Sequence, residues 1–363
     1  MSFSKIFFPF ALSTFISFLI TPFVILILSK FNIVDDPKKH LHPKVVHKYP
    51  VPRGGGIPVF FALLTSIFFL PADKHLKGIL LGACLTFLIG LADDIFEEKI
   101  HPVIRLFGNF LAAALVVGAG IGIAFINSPF GGIIRLDLPQ ICFNFLNQSH
   151  CIWVLADIFA LFWIVWTMNI VGWSGGIEGQ LPGIAAISAI TIAVISLKFS
   201  ADITEWPVII LALITAGAYL GFLPWNFYPQ KIMPGYSGKS LAGFMLAILS
   251  MLATAKIFTL FLVLAVPMLD AFYLVIKRLS SGKLPIWGGR EHLHHRLLSL
   301  GWGKRKIVLF YWIITLILGI LATQLNSEQK FYTMLMLIIL FFGGILWLNY
   351  LSTFLKPPDQ DSG

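Results

Sequence analysis

Charge is scarce in this sequence: Asp, Glu, Lys and Arg make up 12% of its 363 residues, against 58% hydrophobic residues. A soluble domain of this length has too little interior to hide so much apolar surface. Cysteine is nearly absent, and Cys84, Cys142 and Cys151 fall at no spacing used for metal or redox chemistry. The net charge of +9 does not gather into a nucleic-acid patch, because the basic residues are scattered between apolar runs. That charge reads as membrane topology and lipid-headgroup contact, with no nucleic acid as a partner. The first apolar run, residues 6–29, is too long for a signal-peptide core and lacks a small-residue cleavage site, so it is read as a spanning helix. Missing too are an internal repeat and mid-span charges other than Asp270, the features expected of a transporter.

What the sequence does have is a series of apolar runs suited to crossing a bilayer as helices. Spans are expected near 6–29, 55–70, 77–92, 104–126, 151–170, 182–198, 207–224, 240–255, 257–276, 307–323 and 332–353. The expectation is an all-α integral membrane protein of about eleven transmembrane helices, one polytopic domain over 1–363. The second and third spans are short enough to be re-entrant. An N-terminus outside places most of the Lys and Arg residues inside, as the positive-inside rule asks, and leaves the C-terminus cytoplasmic. The polar loops 30–54, 93–105, 171–181, 225–239 and 277–306 then share the cytoplasmic face. The outer face receives 127–150, where the alternation from Ile133 to Leu138 suggests a small hairpin. Cys142 and Cys151 either pair there or remain separate thiols.

Four loop segments carry candidate chemistry. Asp93-Asp94 stands at the cytoplasmic end of the third span, with Glu97 one turn on. Paired carboxylates at a membrane boundary repel each other and lose solvation. They either share a hydrated Mg²⁺ with a phosphate, or act as a base, or mark a solvated helix end. His292-Leu293-His294-His295-Arg296 lies in a strongly basic loop and suits diphosphate oxygens. A zinc site lacks a Cys or acidic partner at metal spacing, and lipid headgroups are the plainer alternative. The stretch from Asp35 through His47 to Arg53-Gly54-Gly55-Gly56 allows close backbone approach to a ligand, with Lys44, Lys48 and Arg53 suited to a lipid phosphate. Ser174-Gly175-Gly176-Ile177-Glu178-Gly179-Gln180 is polar backbone that must line a cavity or face water. Gly235-Tyr236-Ser237-Gly238-Lys239-Ser240 looks like the end of a P-loop, but Met233 occupies the place of its first glycine and no strand is expected before it.

These loops, in this order, resemble those of the polyprenyl-phosphate N-acetylhexosamine-1-phosphate transferases, glycosyltransferase family 4. The chain looks closest to the branch that acts on undecaprenyl phosphate and N-acetylglucosamine 1-phosphate. Asp35-x-Pro37, Lys44-Val45-Val46-His47 and Pro52-Arg53-Gly54-Gly55 are similar to the family's first cytoplasmic loop. Gly90-Leu91-Ala92-Asp93-Asp94 is similar to its aspartate pair, and Asn226, Pro229 and Lys231 to a later segment. Pro267-x-x-Asp270 and Arg290-Glu291-His292-Leu293-His294-His295-Arg296 are similar to its last large loop. The resemblance implies transfer of a sugar 1-phosphate from a UDP-sugar to polyprenyl (undecaprenyl) phosphate, with release of UMP. It implies Mg²⁺, or Mn²⁺ in its place, and a multi-pass protein of the bacterial plasma membrane acting at the cytoplasmic face. Asp93, Asp94, His292, His294 and His295 take the catalytic roles. Lys44, His47, Arg53, Asn169, Glu178, Asn226, Lys231, Arg290 and Arg296 contact substrate, and Asp94, Glu97 and Glu178 hold the metal. Two positions depart from the family pattern. Tyr236 stands where the family has a magnesium-binding Asp, and Gly175 where it has another Asp. Either Glu178 joins the Asp93–Asp94 pair in a rebuilt site, or the chain is a catalytically silent relative that still binds its ligands.

Overall fold

Inside a bilayer every backbone N–H and C=O must find its partner within the protein, which leaves helices as the solution for apolar runs of this length. The computed structural model describes residues 3–38, 47–96, 99–128, 132–145, 148–199, 201, 205–253, 256–282 and 291–355. Its helices, in chain order, are α1 Phe3–Lys30, α2 Gly56–Leu63, α3 Lys74–Ile95, α4 Pro102–Gly118, α5 Val154–Trp173, α6 Gln180–Lys198 and α7 Glu205–Asn226. They continue as α8 Gly235–Leu252, α9 Lys256–Val263, α10 Ala265–Ser280, α11 Leu293–Ser299, α12 Lys304–Gln324 and α13 Ser327–Leu355. A 3-10 turn, Leu64–Phe68, prolongs α2.

Each of the eleven expected spans falls on a helix, but length and composition separate them. Among the described residues, seven helices are long and apolar enough to cross a membrane, or eight if α9 and α10 form one broken span. Those two meet at an 86° bend, so the run expected as a straight helix over 257–276 is broken at Leu264. The expected span 104–126 is also too long. Helix α4 stops at Gly118, two residues before Gly120 adopts a left-handed φ of 91°, and the chain passes into β3, Phe125–Asn127.

β3 pairs antiparallel with β4, Ile133–Arg135, which is the hairpin expected from the alternation there. A second hairpin follows, β5 Gln140–Phe145 with β6 Gln148–Trp153, and Cys142 faces Cys151 across it in a disulfide. Of the two readings for these cysteines, the structure has the paired one. A two-residue ladder, β1 Val34–Asp35 with β2 Val51–Pro52, closes the first loop.

Small residues let the helices approach closely, as packing without a hydrophobic drive in lipid requires. Gly217 and Gly221 of α7 lie on the backbone of α1, and Gly243 of α8 lies on Thr167 and Met168 of α5. The middle of α8 is buried from Leu241 to Met251. Its neighbours α3 and α5 flank it, and its N-terminal turn emerges among the polar loops.

Candidate active site

The third span carries its acidic pair into the start of α8. Asp94 accepts hydrogen bonds from the backbone N–H of Tyr236 at 2.6 Å and of Ser237 at 3.2 Å. The Ser237 hydroxyl donates to it at 2.5 Å. A carboxylate receiving otherwise unpaired N–H groups at a helix N-terminus is stabilised by those bonds and by the helix dipole. Gly235 has a φ of 66°, and a β-carbon there would overlap the Asp94 carboxylate, so the turn needs glycine. Gly56 and Gly90 also face Ser237 so closely that a methyl on either would overlap it. The glycine-rich entry to α2, the end of α3 and the start of α8 thus meet at one serine.

Asp93, only 1% exposed, turns to α4 instead: Arg105 donates to its Oδ2 at 3.0 Å. The same guanidinium lies over the Tyr236 ring, 5.0 Å from its centroid. Asn109, one turn further along α4, donates to the Tyr236 hydroxyl at 3.2 Å. Tyr236 therefore lies between two residues of α4, beside the acidic pair.

The first loop is stitched to the same place. Met233 N–H donates to the Pro52 carbonyl and Gly55 N–H to the Met233 carbonyl, both at 2.9 Å. Arg53 forms an ion pair with buried Asp35 at 2.8 Å. His47 lies 3.2 Å from the Asp35 carbonyl, so it braces this loop.

On the other side of α8, the Lys239 stem packs over Gly175, and His294 packs against Gly176. The His292 and His294 rings stack with centroids 5.4 Å apart, and His294 and His295 are 4.4 Å apart. Asp270 of α10 fixes this cluster, with its Oδ2 2.8 Å from His292 Nδ1 and its Oδ1 accepting from Leu293 N–H at 2.9 Å. Burial first, then the positive charge of His295, His292 and Lys239, holds the His294 imidazole well below its usual range. Arg296 rests over Tyr273 and donates to its hydroxyl at 3.1 Å.

Several expected contacts have other work. Glu178 meets Lys304 at 2.7 Å, and its other side-chain oxygen accepts no hydrogen bond among the described residues. Asn226 accepts from Gly179 N–H and donates to Gln230 and to the Ile232 carbonyl, so it clamps the loop before α6 to the loop before α8. Asn169 donates to Val165 of its own helix, and Lys231 lies over Trp225. Lys44, Glu97 and Arg290 lie outside the described residues.

Of the expected metal donors, Asp94 and Glu178 are described and Glu97 lies outside the described residues. No group of three His, Cys, Asp or Glu suited to a metal ion occurs among the described residues. Asp94 is bonded at both oxygens, Asp93 faces a guanidinium and Glu178 an ammonium. The second oxygen of Glu178, buried and without a hydrogen bond among the described residues, is of the kind a divalent ion takes.

Arg105, Asn109, Ser237, Lys239 and Lys304 were given no site role in the sequence reading. Ser237 and Lys239 fall within the P-loop lookalike, and Arg105 and Lys304 lie in or beside basic loops whose charge reads as topology. A basic residue one helix away from an acidic pair was the available signal for Arg105.

Comparison with known proteins agrees with this assembly of loops. The profile of glycosyl transferase family 4 matches residues 76–254, which includes the acidic pair and the start of α8. A probable undecaprenyl-phosphate N-acetylglucosaminyl 1-phosphate transferase of Bacillus subtilis is 28% identical over 331 residues, 89% of this chain and 85% of the relative. A decaprenyl-phosphate N-acetylglucosaminephosphotransferase of Mycobacterium tuberculosis is 30% identical over 347 residues, 87% of this chain and 80% of its own length. A phospho-N-acetylmuramoyl-pentapeptide-transferase of Caldanaerobacter subterraneus is 31% identical over 299 residues, covering 78% and 85%. The chain belongs to glycosyl transferase family 4.

Proposed function

We propose that this protein moves a sugar 1-phosphate, an N-acetylhexosamine 1-phosphate, from a UDP-sugar to polyprenyl phosphate, releasing UMP. The relatives named for this kind of transfer support it. The observation that carries it is the junction at α8, where the start of one helix touches the Asp93–Asp94 pair, the first loop and the His294 cluster.

In the reaction, an oxygen of the lipid phosphate attacks the phosphorus that bears the sugar. A new P–O bond forms, the diphosphate bridge breaks and its oxygen leaves with UMP. Positioning and charge neutralisation carry most of the catalysis in such a transfer. His292, held by Asp270, and Arg296, held against Tyr273, supply fixed donors for the diphosphate. Lys239 reaches from α8 between the two halves of the site. Arg53 and Arg105 flank the acidic pair and serve the lipid phosphate. Asp94 acts mainly through the α8 turn that it caps.

The topology goes with this reading: eleven crossings or partial crossings, N-terminus outside, C-terminus inside, in the plasma membrane. The site then opens to the cytoplasm, where nucleotide sugars are found, and its product begins a lipid-linked envelope glycan. Detergent-purified protein, undecaprenyl phosphate and a panel of UDP-N-acetylhexosamines provide the test, read as UMP release. Release that requires both substrates is the expected result. Protein that binds the lipid but releases no UMP with any sugar, with or without Mg²⁺, would be a silent relative instead.

A further inference from the structure

One buried charge lies far from the transfer site. Helices α6 and α12 both start beside the Glu178–Lys304 pair and run away from it, ending at Lys198 and Gln324. Helix α13 begins at that far end, and Lys330, at the close of its first turn, is only 7% exposed. Its ammonium donates to the Thr259 hydroxyl of α9 at 3.0 Å and to nothing else among the described residues. An ammonium carries three N–H donors, so two are left over.

Among the described residues no carboxylate balances this charge. Glu205 and Glu328, the acids at this end of α7 and α13, form no ion pair with it. The nearest charge is another cation. Lys198 donates to the Thr323 carbonyl and Lys330 N–H to the Asn326 carbonyl, so both lysines stand at the α12–α13 turn, where their charges repel. Lys198 is favoured there by the negative ends of α6 and α12, whereas the positive end of α13 works against Lys330. A buried cation without a counterion is costly at a membrane boundary.

We propose that Lys330 and Lys198 bind the phosphate of an anionic phospholipid at this end of the bundle. The depth is that of a headgroup: α6, α12 and α13 are each long enough to span, and the lysines stand at their ends. Exposed Ile317, Leu321, Leu335 and Met336, within two turns of those ends, suit the acyl chains. A phosphodiester without a cation of its own, as in phosphatidylglycerol, matches two ammoniums better than phosphatidylcholine does. No residue of the transfer site takes part, so lipid binding here does not rest on the transfer reading.

Thermal unfolding of delipidated protein in detergent tests this, with phosphatidylglycerol, phosphatidylcholine or inorganic phosphate added. The natural protein is expected to melt about 3 °C higher or more with phosphatidylglycerol, and to gain clearly less from the other two. Lys330→Met removes a buried charge, so without lipid it is expected to melt no lower than the natural protein. With phosphatidylglycerol it is expected to lose most of the gain. Lys198→Met, at an exposed position, is expected to lose about half of it or more. Lys306→Met removes an equal charge at the opposite end, where it rests on Trp302, and is expected to keep the gain. An equal gain from phosphatidylcholine, or an undiminished gain in Lys330→Met, would overturn the proposal. Inorganic phosphate matching phosphatidylglycerol would overturn the lipid as occupant and put a soluble anion in its place. Should Lys330→Met fail to fold, an undiminished gain in Lys198→Met overturns the proposal in its stead.

Discussion

His294 is almost wholly withdrawn from water although it belongs to a polar loop. It is 2% exposed, and a β-carbon at Gly176 would overlap its imidazole, so nothing larger than glycine fits opposite it. Burial and the facing His295, His292 and Lys239 keep it neutral by depressing its pKa. The sign of the linkage follows. The unfolded chain takes up a proton near the ordinary imidazole value of 6.5, while the folded chain resists it to lower pH. The folded state therefore loses stability as pH falls through about 6.5, by up to roughly 1.4 kcal/mol per pH unit, until the folded value is reached. Thermal unfolding in detergent between about pH 7 and pH 5 is expected to show this slope, and His294→Gln to flatten it. Equal slopes for the two proteins would mean that the imidazole carries no such penalty.

At the scale of elements, the site depends on how closely α3 and α2 approach α8. Gly90 faces Ser237 with no room for a methyl, while Gly118, at the far end of α4, has nothing within 4 Å of where one would go. Gly90→Ala is expected to cost about 1–3 kcal/mol by overpacking and to slow UMP release by shifting the Asp94 cap. Gly118→Ala, with open space and a helical residue, is expected to be neutral or to gain up to about 1 kcal/mol. Thermal melts and the transfer assay on both variants check the contrast. Equal effects would show that close approach at Ser237 is not what limits the site.

The helices themselves were legible in the sequence, because an apolar run needs only its own backbone to satisfy its hydrogen bonds. Each of the eleven runs falls on a helix, although the run 104–126 outlasts α4 and ends in β3, and the alternation at Ile133–Arg135 is a strand. What was not legible is long-range. Asp94 meets Tyr236 across 142 residues, and Asn109 meets it across 127. No local pattern records either contact. The same gap explains why the clamp that Asn226 forms, beside the substrate contact expected of it, was not legible in the sequence. Its amide is fully engaged with Gly179, Gln230 and Ile232, and side-chain chemistry alone does not distinguish the two uses.

At the scale of the whole molecule, chain direction places two kinds of chemistry at opposite ends of the bundle. Helix α4 leaves the site at Arg105 and ends at Gly118, next to the paired hairpins; α5 leaves those hairpins at Val154 and returns to the site at Trp173. The Cys142–Cys151 disulfide and the basic cluster of Arg53, Arg105, Lys239, Arg296 and Lys304 therefore lie on opposite faces. A disulfide persists on an oxidising side of a membrane, and basic loops are retained on the cytoplasmic side. Both arguments give the same orientation, although they use different residues. It can be checked on intact cells in a Cys84→Ser background. A membrane-impermeant reductant followed by an impermeant maleimide is expected to label Cys142 and Cys151 without permeabilisation. An added Ser299→Cys, exposed on α11, is expected to react only once the membrane is opened. The reverse pattern would turn the molecule over, set the basic cluster outside and remove it from the nucleotide sugars that the transfer requires.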